Sequence, residues 1–271
     1  MAVPDMSQPS RDAPKSTAHQ AMVTDQFTRQ AALFAEAPAL HDAASLAMLV
    51  DAARPQATDT SLDVACGPGT VVAAFARHVR HATGLDATDA MLDQARKFAA
   101  ARDLGNVAWR RGDVRALPCE DRAFDVVSCR FAFHHFEQPA AAFAEMARVC
   151  RPGGRIVLCD AVVSDDPRKA AAFNDMERYR DPSTVEFRTV SYLAALFGAA
   201  GLPQPAATFY RLPVEMESVL KTSFPAGGDH DGVRAMLREA VDGDRMGIGA
   251  RRHGDTIRFA YSVVILVATK P

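Results

Sequence analysis

From about residue 58 onward, short apolar runs alternate with segments of helical period. The runs "SLDVAC", "HATGLDAT", "NVAWRRGD", "FDVVSCRFAF" and "GRIVLCDAVV" read as strands, and "VVAAFARHV", "DAMLDQARKFAAA" and "PAAAFAEMARVC" as the helices between them. Strands that are apolar on both faces and alternate with helices predict a parallel sheet covered on each side, an α/β doubly wound fold. Ahead of it, residues 22 to 53 place Phe27, Ala31 and Phe34 at helical spacing, with Pro38 as punctuation, and predict two helices. Behind it, residues 205 to 214 and 255 to 270 are strand-like and are expected to pair as an antiparallel edge, which brings the sheet to seven strands.

Two stretches are too long for plain connections: residues 164 to 190 and 215 to 254, the latter with a helical "DGVRAMLREAV". The organisation expected is a flexible leader over residues 1 to 20 and one domain over 21 to 271, whose N-terminal helices and two insertions form a cap.

Composition narrows the classes. A chain of 271 residues, 48% hydrophobic and 24% charged, buries a full core. Its net charge of -2 lacks the basic footprint of a nucleic-acid binder and favours a small, near-neutral ligand. No run approaches a membrane span, and the start has no apolar signal centre. Five cysteines without C-x-x-C spacing read as reduced thiols, pointing to the cytoplasm and to no metal site.

The candidate chemistry begins at "LDVACGPGT", residues 62 to 70. In a doubly wound sheet the turn after the first strand passes beneath the ligand, and Gly67 and Gly69 let the backbone approach where a Cβ would clash. Asp86 ends the next strand, 23 positions after Asp63, where a carboxylate can accept from both ribose hydroxyls of a nucleoside. A dinucleotide turn would place glycine where Val72 stands, which disfavours a pyrophosphate-bearing coenzyme. Asp113, in Gly112-Asp113-Val114 closing the third strand, adds a third carboxylate.

These motifs, with "GLDATDAML", "GDVRALPCEDRAFDVVSCRFAFHHF" and "RVCRPGGRIVLCD", follow in one order over residues 58 to 162. The chain resembles the class I S-adenosylmethionine-dependent methyltransferases, in particular the ubiquinone/menaquinone-biosynthesis-like small-molecule group. The resemblance implies a Rossmann-like fold and S-adenosyl-L-methionine as cofactor. It also implies that Asp63 and the Gly67 to Gly69 backbone hold the amino-acid end, Asp86 with Ala87 the ribose side, and Asp113 the adenine amino group beside Val114. Met91 would flank the adenine, the Arg130 main chain would approach the methionyl group, and Phe27 could close over the cofactor while also suiting a core position. One departure is Ala65, where the family often has glycine, read as a tolerated variation. A sulfonium nucleoside carries no phosphate, so the turn needs room more than a cation.

"FAFHHFEQP" sets His134 and His135 just past the fourth strand, and Asp160 ends the fifth. Imidazole can take the proton of a hydroxyl during methyl transfer, and a carboxylate can orient it. The expectation is O-methylation of a small-molecule acceptor with His135, or His134, as base and Asp160 behind it; carbon and nitrogen acceptors stay open. Alternatives are a non-methylating rearrangement or cyclisation on the bound sulfonium, and a macromolecular methyltransferase, disfavoured because "CRFAFHH" lacks an Asn/Asp-Pro-Pro-aromatic turn. Glu177, Arg180 and Asp181 could pair among themselves or touch substrate, and Arg251 and Arg252 sit on a loop. A homodimer is one open possibility for assembly.

Overall fold

The computed structural model describes residues 18 to 271. Most of the expected leader, residues 1 to 17, lies outside them, and residues 18 to 20 open a helix instead. The helices are α1 (Ala18–Ala35), α2 (Ala43–Ala53), α3 (Thr70–Ala76), α4 (Asp89–Ala100), α5 (Pro139–Val149), α6 (Pro167–Arg180), α7 (Val190–Ala199), α8 (Met216–Lys221) and α9 (His230–Glu239). The strands are β1 (Thr60–Val64), β2 (His81–Asp86), β3 (Val107–Arg111), β4 (Phe124–Arg130), β5 (Cys150–Val162), β6 (Ala206–Glu215), β7 (Arg251–His253) and β8 (Thr256–Thr269).

The sheet runs β3-β2-β1-β4-β5-β8-β6, with β7 added against β8. The first five strands pair in parallel and β8 pairs antiparallel to both β5 and β6. The seven expected strands are therefore present, and the short β7 makes an eighth. The expected antiparallel edge differs in one respect: β8 lies between β5 and β6, so only β6 is the edge. Composition explains the insertion, because Val263, Val264, Ile265 and Leu266 are apolar without alternation and need cover on both faces, which a central strand has. Arg251 and Arg252, expected on a loop, form the β7 arm of a hairpin with β8.

Two apolar layers sandwich the parallel strands. Val126, Val157 and Ile265 face Leu49 of α2 and Phe75 of α3, while Leu62, Val127, Leu158 and Val264 face Phe143 of α5 and Phe197 of α7. A third cluster, around Phe173, Met176, Leu220, Leu237 and Phe259, joins α6, α8 and α9 to the outer end of β8. Each layer consists of large side chains at under a tenth of their free exposure, so burial on both faces dominates the stabilisation. No single helix among the described residues is long and apolar enough to cross a membrane.

Strand order reverses between β1 and β4, and such a point opens a cleft beyond the carboxyl ends of the strands. One packing contact shapes its floor. Gly84 on β2 pairs in register with Trp109 on β3, and the indole lies across the glycine to reach Gly69. A Cβ at Gly84 would stand 2.6 Å from the indole and 2.8 Å from Cys66 Sγ. Gly84→Ala is expected to cost about 1–3 kcal/mol through overpacking. Urea unfolding followed by the fluorescence of Trp109, the single tryptophan, checks this; an unchanged midpoint contradicts it.

Candidate functional site

The turn between β1 and α3 is left-handed at three of its residues: Ala65 at φ 55°, Gly67 at 51° and Gly69 at 83°. Glycine adopts this region freely, but alanine pays about 1–2 kcal/mol, so Ala65 is a strained position and more than a neutral exchange. A Cβ on Gly67 would meet nothing within 4 Å, because that residue opens into the cleft. The Gly67 N–H donates to Asp86 Oδ2 at 2.9 Å, and the Thr88 N–H donates to Asp86 Oδ1 at 2.9 Å. Asp63, paired in register with Ser128 of β4, accepts from its hydroxyl at 2.7 Å.

The cleft is a cavity of about 370 Å³. Of the expected cofactor residues, Phe27, Asp63, Ala65, Gly67, Asp86, Ala87, Met91, Asp113, Val114 and Arg130 all line it, and Gly69 sits one turn below against Trp109. Two expectations need correction, that Gly112 to Val114 close β3 and that Phe27 and Phe34 sit in the core. β3 ends at Arg111, so Gly112, Asp113 and Val114 form the following turn, where Arg115 N and its guanidinium fold back onto the Asp113 carboxylate. The Arg130 side chain turns away from the cofactor floor to the Ala39 and Leu40 carbonyls and Ser45 Oγ, fixing the start of α2. Phe27 and Phe34 are half-buried cavity walls, and the core positions of α1 belong to Gln26, Gln30 and Ala31.

α1 roofs the cavity. Gln20 Nε2 donates to Asp113 Oδ2 at 2.7 Å, His19 Nε2 lies 3.0 Å from the His135 carbonyl, and Val23, Thr24, Phe27 and Phe34 complete the lining. His19, Gln20, Val23 and Thr24 were not expected. Their signal was the helical stripe of Phe27 and Phe34 continued backward through 23, 24 and 20 into the supposed leader.

His134 and His135 belong to a short 3-10 turn, Phe133–His135, past β4. Asp160 lies two residues inside β5, because β8 pairing carries that strand on to Val162. Its carboxylate accepts from His134 Nδ1 at 2.8 Å and from the His134 N–H at 3.2 Å. The His134 ring stacks on Phe187, with centroids 4.0 Å apart. Asp160 therefore backs His134 and not His135. It is His135 that lines the cavity, edge-on to Phe27 at 4.9 Å, with Nδ1 3.0 Å from the Ser183 carbonyl. The two imidazoles touch, centroids 4.1 Å apart. Glu177 and Arg180 pair at 2.8 Å under Tyr261, whose hydroxyl donates to Glu177, so these charges pair among themselves.

A cavity with three carboxylates, a glycine turn open to it, and no lysine or arginine between residues 62 and 70 suits a cationic, phosphate-free nucleoside. The comparisons agree. A family model described as a methyltransferase domain matches residues 62 to 158. The chain is 28% identical to an uncharacterized methyltransferase, YcgJ of Bacillus subtilis, over 90% of this chain and 97% of that one. The crystal structure of YcgJ superposes with a TM-score of 0.75 over 83% of this chain and 97% of that chain. The uncharacterized protein YafE of Escherichia coli is 32% identical over 53% of this chain and 69% of its own. A ubiquinone/menaquinone biosynthesis C-methyltransferase of Roseobacter denitrificans is 35% identical over 46% of this chain and 52% of its own. The chain belongs to the class I S-adenosylmethionine-dependent methyltransferases. Its cofactor is S-adenosyl-L-methionine, as in the neighbours solved with S-adenosylhomocysteine.

Burial sets two opposed titrations in this site. It raises the Asp63 carboxyl to about 7, against the Ser128 bond and Arg130. It lowers the His135 imidazole to about 4, with His134 adding to the effect. From pH 4 to 6.5 folded Asp63 holds a proton that the unfolded chain releases, so its contribution to stability falls as pH rises. Over the same window the unfolded chain binds a proton that folded His135 refuses, so the His135 contribution grows as pH rises. The two slopes offset each other. Asp63→Asn is expected to make stability climb with pH across this window and His135→Gln to make it fall, read by urea titrations at stepped pH; parallel profiles for both variants contradict the assignment.

Proposed function

We propose that this methyltransferase acts on a hydroxyl oxygen of a small-molecule acceptor and that His135 takes the proton. The observation that carries the reading is His135 itself: it faces the cavity in a ring orientation fixed by the Ser183 carbonyl. A carbonyl only accepts, so Nδ1 carries the hydrogen and Nε2 presents a lone pair. Burial keeps the ring neutral at physiological pH. A weak base suffices here, because the acceptor oxygen becomes strongly acidic as it gains the methyl carbon.

S-Adenosylmethionine, when bound, supplies the electrophilic methyl. Asp86 with Ala87 holds the ribose side, Asp63 and the Gly67 to Gly69 backbone the amino-acid end, and Asp113, shared with Gln20, the adenine beside Val114 and Met91. The Arg130 main chain and Phe27 close the methionyl end. What remains for the chain is alignment, the term that supplies most of the rate in a transfer between two bound partners. His134, held by Asp160 and stacked on Phe187, buttresses His135 from behind. The roof formed by α1 and the aromatic wall of Phe27 and Phe34 favour a compact, largely apolar acceptor over a polymer. Residues 164 to 190 and 215 to 254 are read as an outer cap behind the cavity wall, a reading supported by Ser183 lying against His135 and by the Phe224 carbonyl, which accepts from Gln26 of α1.

With methyl-labelled cofactor and a panel of small phenols, sugars and amines, label is expected on a hydroxyl compound. His135→Ala is expected to lower kcat about 100-fold or more while cofactor affinity stays within a few-fold. Turnover at the wild-type level in His135→Ala, or label only on amines, contradicts the reading.

A further inference from the structure

The segment after α6, "RDPSTVEF" over residues 180 to 187, is built around the two histidines. Asp181-Pro182-Ser183-Thr184 is a β-turn closed by Thr184 N–H to the Asp181 carbonyl at 3.0 Å, with aspartate and proline at the positions such turns favour. The Asp181 carboxylate spans the turn, accepting from the Ser183 N–H at 3.0 Å and from Ser183 Oγ at 2.6 Å. Asp181 and Ser183 are both buried. Beyond the turn, the Val185 and Glu186 N–H groups donate to the His134 carbonyl at 2.9 and 3.0 Å.

The turn presents to His135 two oxygens of one residue: the Ser183 carbonyl at 3.0 Å and Ser183 Oγ at 3.2 Å from Nδ1. The Oγ hydrogen is already committed to Asp181, so both oxygens face the imidazole as acceptors. Acceptors on one side of the ring admit only the Nδ1–H tautomer. Among the described residues no hydrogen bond to His135 Nε2 is made, and that edge is left for the cavity. Upstream, Asp181 is anchored by its N–H to the Glu177 carbonyl, at the end of a helix whose Glu177 pairs with Arg180 and accepts from the Tyr261 hydroxyl.

We propose that Asp181 and Ser183 are positioning residues that select the tautomer of His135, holding the proton on Nδ1 so that Nε2 serves as the acceptor at the reacting oxygen. The proposal rests on the reading of His135 as proton acceptor and assigns the Asp181-Pro182-Ser183 turn to the same site. Asp181 does not line the cavity; it acts through Ser183. Its carboxylate is kept ionised, so its oxygens only accept, as the Ser183 bonds need. Burial opposes the charge, but His135, Arg180 and the Ser183 bonds outweigh that and hold the pKa below the usual value.

The deciding experiment is nitrogen NMR of the ligand-free protein with 15N-labelled histidine, in which protonated and bare ring nitrogens are separately resolved. The His135 signals are identified by their loss in His135→Gln. At neutral pH the wild type is expected to show a protonated Nδ1 and a bare Nε2. Asp181→Ala, which frees the Ser183 hydroxyl to turn its hydrogen toward Nδ1 and unlocks the turn behind the carbonyl, is expected to populate the Nε2–H form, whereas Ser183→Ala keeps the carbonyl at Nδ1 and is expected to stay Nδ1–H. Asp181→Asn, which keeps an oxygen acceptor for the Ser183 hydroxyl, restores the wild-type pattern. In the methyl-transfer assay, Asp181→Ala is expected to lose about tenfold or more in kcat with the KM for S-adenosylmethionine unchanged. If Asp181→Ala does not fold, Asp181→Val, which fills the same space without an acceptor, carries the decision. A pure Nδ1–H form in the folded Asp181 variant that lacks an acceptor overturns the proposal, as does a wild type with the proton on Nε2. The spectra need no acceptor, so a moved tautomer alongside a fully active His135→Ala supports the positioning role while removing the base assigned above.

Discussion

The Asp86 carboxylate is the joint on which the cleft depends. One of its oxygens accepts from Gly67 in the turn after β1 and the other from Thr88 at the entrance to α4, so the ends of two neighbouring strands are tied together by one buried anion. Burial raises its pKa and those hydrogen bonds pull it back, which makes the anion tolerable only while both N–H groups point at it. That requirement forces the chain through three left-handed residues in quick succession, one of them Ala65. The turn in turn lies on Trp109, which lies on Gly84, so the floor of the site and the pairing of β2 with β3 are one packing problem.

Above that floor stand two histidines that adjacent positions in the chain had made interchangeable. The 3-10 turn sends consecutive side chains in different directions, His134 toward β5 and His135 toward the cavity. Asp160 can serve only the first. The second takes its orientation from Ser183, which is contributed by a segment 48 residues away. The fold by itself does not dictate the reaction. What distinguishes sites within this fold is the set of ionisable groups on the rim, and here that set is the pair of imidazoles with their separate carboxylates, Asp160 and Asp181.

The parts of this molecule legible in its sequence are those where local pattern and tertiary environment agree. The parallel strands other than the edge strand β3 announce themselves as apolar runs because both faces are covered, and Gly67, Asp86 and Asp113 stand out because the turns that hold them tolerate few alternatives. Three features escaped for physical reasons. The start of α1 is polar on its outer face, so Ala18, His19 and Gln20 resembled the segment before them, and the contacts of His19 with the His135 carbonyl and of Gln20 with Asp113 are what tie it to the site. The place of β8 between β5 and β6 depends on long-range pairing that no local period encodes. The partner of His135 is a backbone carbonyl, which every residue has, so no residue type could signal it.

The central claim is that the cleft above β1, β2 and β3 is shaped around an adenosyl ligand whose ribose is held by Asp86. The most direct measurement is calorimetric titration of S-adenosylhomocysteine into the wild type and into Asp86→Ala. Loss of two charge-assisted hydrogen bonds, at roughly 1.5 kcal/mol or more each, predicts an affinity about 100-fold weaker or worse in the variant. Equal affinities in the two proteins would contradict the claim.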